Sequence, residues 1–229
     1  MLLPPNELEM LRALTTSEEV RERIRGFPGR YVNDWSRWLR ASRDCDFQAA
    51  PIAESAATEF KRIMSSWQAC GRFQPLRCAT ELQRTLDFAT EPLRRMGSAD
   101  LRCFQAPGEL LTDAISDLWR IFEERLCLKR KASEVGVSKA ILLVTKGRIG
   151  PAFDSYVQSH ILTLVIDCTT YIKALREIAS ELADLEAREL TTLDGPAGLA
   201  AQTGRPAAVG RAVDMVLGPR ERRRGPAGG

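Results

Sequence analysis

Residues 108–157 read GELLTDAISDLWRIFEERLCLKRKASEVGVSKAILLVTKGRIGPAFDSYV, and the architecture is decided there. Leu111, Ala114, Ile115, Leu118, Trp119, Phe122 and Leu126 recur at spacings of one, three and four, which places them on one side of a helix from Gly108 to about Leu128. Ser133-Glu-Val-Gly-Val-Ser138 then interrupts the period. Lys139–Val144 reads as the next helix, and Gly147-Arg-Ile-Gly-Pro151 breaks it. Asp154 begins another, since aspartate caps helix starts well.

Outward from this stretch the period stays helical. Leu8, Leu11 and Leu14 form a stripe, and Thr16-Ser17-Glu18-Glu19 offers a cap with an acidic first turn. Tyr31, Trp35, Trp38 and Leu39 line one face, after a turn at Phe27-Pro-Gly-Arg30. Ala56, Phe60, Ile63, Met64 and Trp67 repeat the pattern up to Cys70-Gly71, and Leu82–Phe88 is a weaker helix closed by Glu91-Pro92. Downstream, Tyr171, Ile172, Leu175, Ile178, Ala179, Leu182 and Leu185 keep register in a long helix. Thr163–Thr170 is rich in β-branched residues, but no other strand offers to pair with it, so it too is read as helix. The expected fold is a single all-α domain of eight to ten helices over residues 1–190. A loop or linker over 191–204 follows, then a C-terminal helix over 205–218 burying Val209, Val213, Met215 and Val216, and a disordered basic tail over 219–229.

Composition narrows the class. The 229 residues are 44% hydrophobic and 28% charged, which suits a globular core. The longest apolar runs, such as Ala140–Val144, are far short of the roughly 20 residues of a membrane span. The start, with Pro4, Pro5, Glu7 and Glu9, does not read as a signal peptide. A cytoplasmic protein with no membrane partner is expected. Six scattered cysteines contain no Cys-x-x-Cys pair and there is a single histidine, His160, so neither a metal nor a cofactor is expected, and the thiols read as free.

The net charge of +3 is unevenly spread. Arg120–Arg148 carries eight Lys/Arg against three glutamates, and residues 205–229 carry six arginines against Asp214 and Glu221. A polyanion would be drawn to those two places. Arginine outnumbers lysine 27 to 6, a bias with little meaning for binding.

Gly136-Val137-Ser138-Lys139, an apolar helix, and Pro151-Ala-Phe-Asp154 stand in that order. The order resembles the helix-hairpin-helix DNA glycosylase superfamily, whose hairpin ends in Gly-Val-Gly-x-Lys and whose next helix opens on Pro-Val-Asp or Pro-Leu-Asp. The resemblance covers about 25 residues directly. It departs from the family in having one hairpin glycine instead of two, a somewhat shorter interval between Lys139 and Asp154, and no iron–sulfur cysteines at the C-terminus. What it implies is DNA as partner, with Asp154 and Lys139 as catalytic residues and the hairpin as a phosphate anchor.

Physical chemistry makes that implication intelligible. Backbone N–H groups at a hairpin glycine and a helix start can meet a phosphate, so Gly136, Val137 and Ser138 are the candidate anchor. Lys131, Lys146 and Arg148 are the candidate cations around it, gripping the backbone without reading sequence. A carboxylate at Asp154 can stabilise an oxocarbenium-like sugar or activate water once a base has left the stack. The substrate would be a damaged base or a modified one, such as a hypermodified phage pyrimidine. As a Schiff-base nucleophile, Lys139 would need a depressed pKa.

Plainer roles stand beside these. Asp154 serves equally as an N-cap, Lys139 as a solvated first-turn lysine, Ser138 as a cap and Gly136 as a helix terminator. Tyr31, Trp35 and Trp38 read as core more than as a base-stacking platform. Two other functions fit the same residues: a helix-hairpin-helix DNA-binding protein without chemistry, and an all-helical interaction module using the Ile172–Leu190 surface. Oligomeric state is not legible.

Overall fold

The Thr16 side chain accepts a hydrogen bond from the Glu19 N–H and starts α1 (Ser17–Arg25), the cap expected of Thr-Ser-Glu-Glu. The computed structural model describes residues 16–27, 32–70, 74–154, 157–158 and 167–218, with the side chains of all of these but 32–35. Eight more α-helices follow among the described residues: α2 (Val32–Asp44), α3 (Glu54–Ser66), α4 (Ala79–Met96), α5 (Glu109–Arg125), α6 (Glu134–Val144), α7 (Cys168–Glu189), α8 (Leu199–Gln202) and α9 (Val209–Leu217). A 3-10 turn, Leu101–Gln105, lies between α4 and α5. No strand forms among the described residues; an isolated antiparallel bridge joins Leu76 to Cys127. The all-α expectation holds.

The apolar periods become packing. Leu82, Leu86, Ala89 and Leu93 bury one face of α4, which lies along α5 and its stripe of Ala114, Ile115, Leu118 and Phe122. The Phe60 ring of α3 stacks on Phe122 at 6.2 Å between centroids. From α5 the packing runs to α6 and α7, while α1 closes the molecule against α8 and α9. No helix among the described residues is long and apolar enough to cross a membrane.

Pro92 does not close α4. The helix runs through it to Met96, although an interior proline costs about 3 kcal/mol relative to alanine. Pro92, Leu93 and Met96 are all buried, and each fully buried aliphatic side chain returns about 1.5–3 kcal/mol. Leu39, expected on the inner face of α2, is instead exposed. The 191–204 segment, expected as a loop or linker, contains α8 and buries Leu193, Leu199 and Ala200.

The larger correction falls on the hairpin. Ser133 accepts from the Gly136 N–H and caps α6, which begins at Glu134. Gly136, Val137 and Ser138 therefore lie inside a helix and not in a turn before it. Gly136 is there for a close approach: a Cβ at that position would sit 2.7 Å from the Ala69 carbonyl oxygen. From Gly136 to Val144 every residue but Lys139 is buried, so α6 is a core helix with apolar surface nearly all round.

The Leu8, Leu11 and Leu14 stripe, Tyr31, His160, residues 161–166 of the β-branched run and the basic tail over 219–229 lie outside the described residues. So does the Trp35 side chain.

Candidate active site

After α6 the chain turns sharply, with Lys146 at φ 55° and Gly147 at φ 77°. Glycine is required at the second position both for the left-handed backbone and for space, since a Cβ would meet the Trp38 ring at 2.6 Å. Hydrogen bonds to α6 and α9 then fix residues 147–153. The Gly147 carbonyl accepts from the Arg211 N–H at 2.8 Å. The Ala152 N–H donates to Asp214 Oδ1 at 3.0 Å, and the Phe153 N–H donates to Ser138 Oγ at 2.9 Å. Asp154 leaves this clamped turn half-buried, and its Oδ1 accepts from the Val157 N–H at 3.2 Å. It thus caps the helical turn at 157–158, as the sequence suggested.

Lys139 is the polar exit of the otherwise buried part of α6. Its Nζ donates to the Trp67 carbonyl at 2.8 Å, just past the end of α3. Lys139 and Asp154 act on the same group, the buried carboxyl of Asp214. Burial pushes that carboxyl above the ordinary aspartate range. The Arg211 guanidinium opposes the rise, the Asp154 charge adds to it, and the Ala152 N–H and the Lys139 ammonium pull the other way. The charges of both residues that the resemblance picked out thus bear on the Asp214 carboxyl.

Arg211 completes it. Its guanidinium pairs with Asp214 and lies 5.4 Å from the Trp67 ring centroid, 5.5 Å from Phe27 and 5.8 Å from Trp38. Arg211 Nε makes no hydrogen bond among the described residues, and neither does the Tyr171 hydroxyl. Tyr171 is fully buried, its ring 5.0 Å from both Trp119 and Phe153. Burial raises its phenol above the ordinary value, with Cys168 and Asp214 adding. Two buried polar atoms, on α7 and on α9, are left with hydrogen-bonding capacity, and such atoms call for a partner.

The candidate DNA contacts are distributed differently from the expectation. Val137 and Ser138 are fully buried and Gly136 faces Ala69, so none of the three presents an N–H to a phosphate. The reason is the Ser133 cap, which starts the helix one turn early. Arg148 is spent on structure: Nη1 donates to the Gly97 and Ala99 carbonyls at 2.6 and 3.1 Å, and Nε donates to the Thr145 carbonyl. Burial lowers its pKa, with Asp100 and Cys103 opposing. Lys146 is half-buried, and Lys131 is exposed but paired with Glu123 at 2.7 Å. Lys129 and Arg130 are exposed beside it, in the loop ahead of α6.

Arg211, Asp214, Tyr171 and the Trp67 carbonyl were not singled out from the sequence. One signal was present: an Arg–Asp pair at i and i+3 inside the apolar run Val209–Leu217, a position where charges survive only when paired. Among the described residues no group of three or more His, Cys, Asp or Glu side chains is placed to hold a metal. Comparison with protein-family models, curated proteins and solved structures found no match.

Proposed function

We propose that the chain is a DNA glycosylase acting on a flipped damaged or modified base at the Lys139–Asp154–Asp214 cluster. The observation that carries the reading is that the turn ending at Asp154 is clamped by Asp214 through the Ala152 N–H and by Ser138, the neighbour of Lys139 in α6, through the Phe153 N–H. As the C1′–N bond breaks, the departing base takes the electron pair and the sugar becomes cationic. The Asp154 carboxylate offsets that charge and orients water for attack at C1′, taking the proton that is later delivered to the base. Lys139 supplies a second, positive charge for the departing base. Asp214 and Ser138 position the Asp154 turn through the Ala152 and Phe153 N–H groups.

The phosphate anchor in this proposal is not the Gly136–Ser138 stretch. The exposed Lys129-Arg130-Lys131 loop ahead of α6 takes that role, with Lys146. The exposed, long side chains of that loop suit a sequence-independent grip, and Lys146 is half-buried at the turn after α6. The test is incubation of the chain with genomic DNAs that carry ordinary, damaged and hypermodified bases, followed by assay of abasic sites and free base. Release of one base class supports the proposal, and no release from any of them counts against it.

A second reading has its own observation. The Asp154 carboxylate is already used as the acceptor for the Val157 N–H, which accounts for an aspartate here without chemistry. On that reading the chain binds DNA without cleaving it, and affinity without base release is the expected result.

A further inference from the structure

Cys70 lies just beyond α3 and Cys127 just beyond α5, far apart in sequence, yet their sulfurs are 2.6 Å apart. Both are held by backbone. The Arg77 N–H donates to the Leu126 carbonyl at 3.2 Å and the Leu128 N–H to the Pro75 carbonyl at 2.9 Å, which fixes the strand-like stretch containing Cys127. On the other side the Ala69 N–H donates to the Met64 carbonyl at 3.0 Å, and the Ala69 carbonyl lies against Gly136. We propose that Cys70 and Cys127 are a redox modification site, closing to a reversible disulfide on the wall of the Lys139 cluster.

The other cysteines set the contrast. Cys78 and Cys103 are exposed, Cys45 is buried, and Cys168 lies against the Ser116 hydroxyl at 3.7 Å. A small disulfide such as oxidised glutathione reaches Cys78 and Cys103 more easily, but Cys70 has a second sulfur in place to finish the exchange. Cys70 is half-buried and Cys127 buried, so Cys70 is the first to react. Its sulfur, having given up its proton, attacks the glutathione disulfide and expels one glutathione thiolate, which takes that proton. Cys127 then attacks the Cys70 sulfur of the mixed disulfide, expels the second glutathione and passes its own proton to it. Two protein thiols and one oxidised glutathione become one protein disulfide and two reduced glutathiones. In the reduced pair the contact with Cys127 and burial hold the Cys70 thiol above its ordinary value, while the same contact, with the Arg77 guanidinium, holds Cys127 below its own against burial. Once Cys70 is in the mixed disulfide it has no thiol proton to give, and the Arg77 guanidinium remains to favour the Cys127 thiolate for the second exchange.

The bond would fasten to the end of α5 the short turn whose Trp67 carbonyl takes the Lys139 ammonium. It therefore gives oxidants a handle on the site without touching Lys139 itself.

The experiment uses the reduced full-length chain with excess oxidised glutathione, an acid quench, alkylation by iodoacetamide and peptide mapping. The expected result is a Cys70–Cys127 cross-linked peptide that dithiothreitol removes, with Cys78 and Cys103 glutathionylated or alkylated singly. In a Cys127→Ser chain, Cys70 should retain glutathione as a stable mixed disulfide. Recovery of Cys70 and Cys127 as alkylated thiols, under conditions that glutathionylate Cys78 and Cys103, would overturn the proposal. So would a cross-link of either one to another cysteine.

Discussion

Ser138 does its work by being buried. Its hydroxyl donates to the Val135 carbonyl at 3.3 Å and accepts from the Phe153 N–H at 2.9 Å, so one small side chain ties α6 to the turn that carries Asp154. Ser138→Ala removes the acceptor and leaves the Phe153 N–H buried and unsatisfied, a loss of about 1–3 kcal/mol. Urea unfolding of the variant measures it, and an unchanged midpoint would show that the turn is held by other means. Asp214 gives a residue-scale prediction in pH. Its folded carboxyl titrates above the ordinary aspartate value of 3.8, chiefly because it is buried. The folded chain therefore holds the Asp214 proton to higher pH than the unfolded chain does. The associated stability is fully present below the unfolded value and is lost as pH rises through the folded one. The difference in unfolding free energy between the wild type and Asp214→Asn should move against the wild type as pH rises from about 4. A difference constant from pH 4 to 8 would contradict that assignment.

At the scale of elements, caps and periods were the legible part. Thr16 caps α1, and the stripes of α3, α5, α7 and α9 are buried as their spacing predicts. Misreadings came where a residue's local preference and its tertiary setting point different ways. Pro92 is a helix breaker by itself, and burial carries α4 through it. Gly136 is a turn residue by itself, yet its lack of a Cβ serves the approach to Ala69, a partner that no local window of sequence contains. The start of α7 offers a clean check. Asp167 accepts from the Thr170 N–H at 2.8 Å, and that bond holds its carboxyl below the ordinary value. The stabilisation is present above the unfolded value of 3.8 and is lost as pH falls through the folded one. Asp167→Ala should cost about 1 kcal/mol at neutral pH. In acid its stability should converge on that of the wild type, as read by thermal melts across pH 2–7. A gap that stays open in acid would mean the side chain matters for reasons other than its charge.

Across the whole molecule, the site is assembled from segments that the sequence keeps far apart. α6 supplies Lys139 and Ser138, the following turn supplies Asp154, α7 supplies Tyr171, and α9 supplies Arg211 and Asp214. α9 is held in place by α1 and by Arg205, whose Nη1 donates to the Ile24 and Phe27 carbonyls at 2.9 Å each. Lys139 and Asp154 could be picked out because Gly136–Lys139, an apolar run and Pro151–Asp154 stand in one short window whose order resembles a known motif. Asp214 could not be joined to them, since only the packing of the C-terminal helix on the 147–153 turn brings it there. The basic character of residues 120–148 was legible as a count of charges. The division of labour within it was not: Arg148 binds carbonyls, and Lys131 pairs with Glu123.

The Asp154 carboxylate either does chemistry or only caps a helix. Asparagine keeps an oxygen for the Val157 N–H and lacks the charge, so Asp154→Asn separates the two. The decisive measurement is single-turnover base release from the DNA that the wild type acts on, by wild type and Asp154→Asn, with DNA affinity measured in parallel at low salt. We predict a fall of about 10²–10⁴-fold in the rate of release with affinity unchanged. Equal rates of release in the two chains would contradict the assignment.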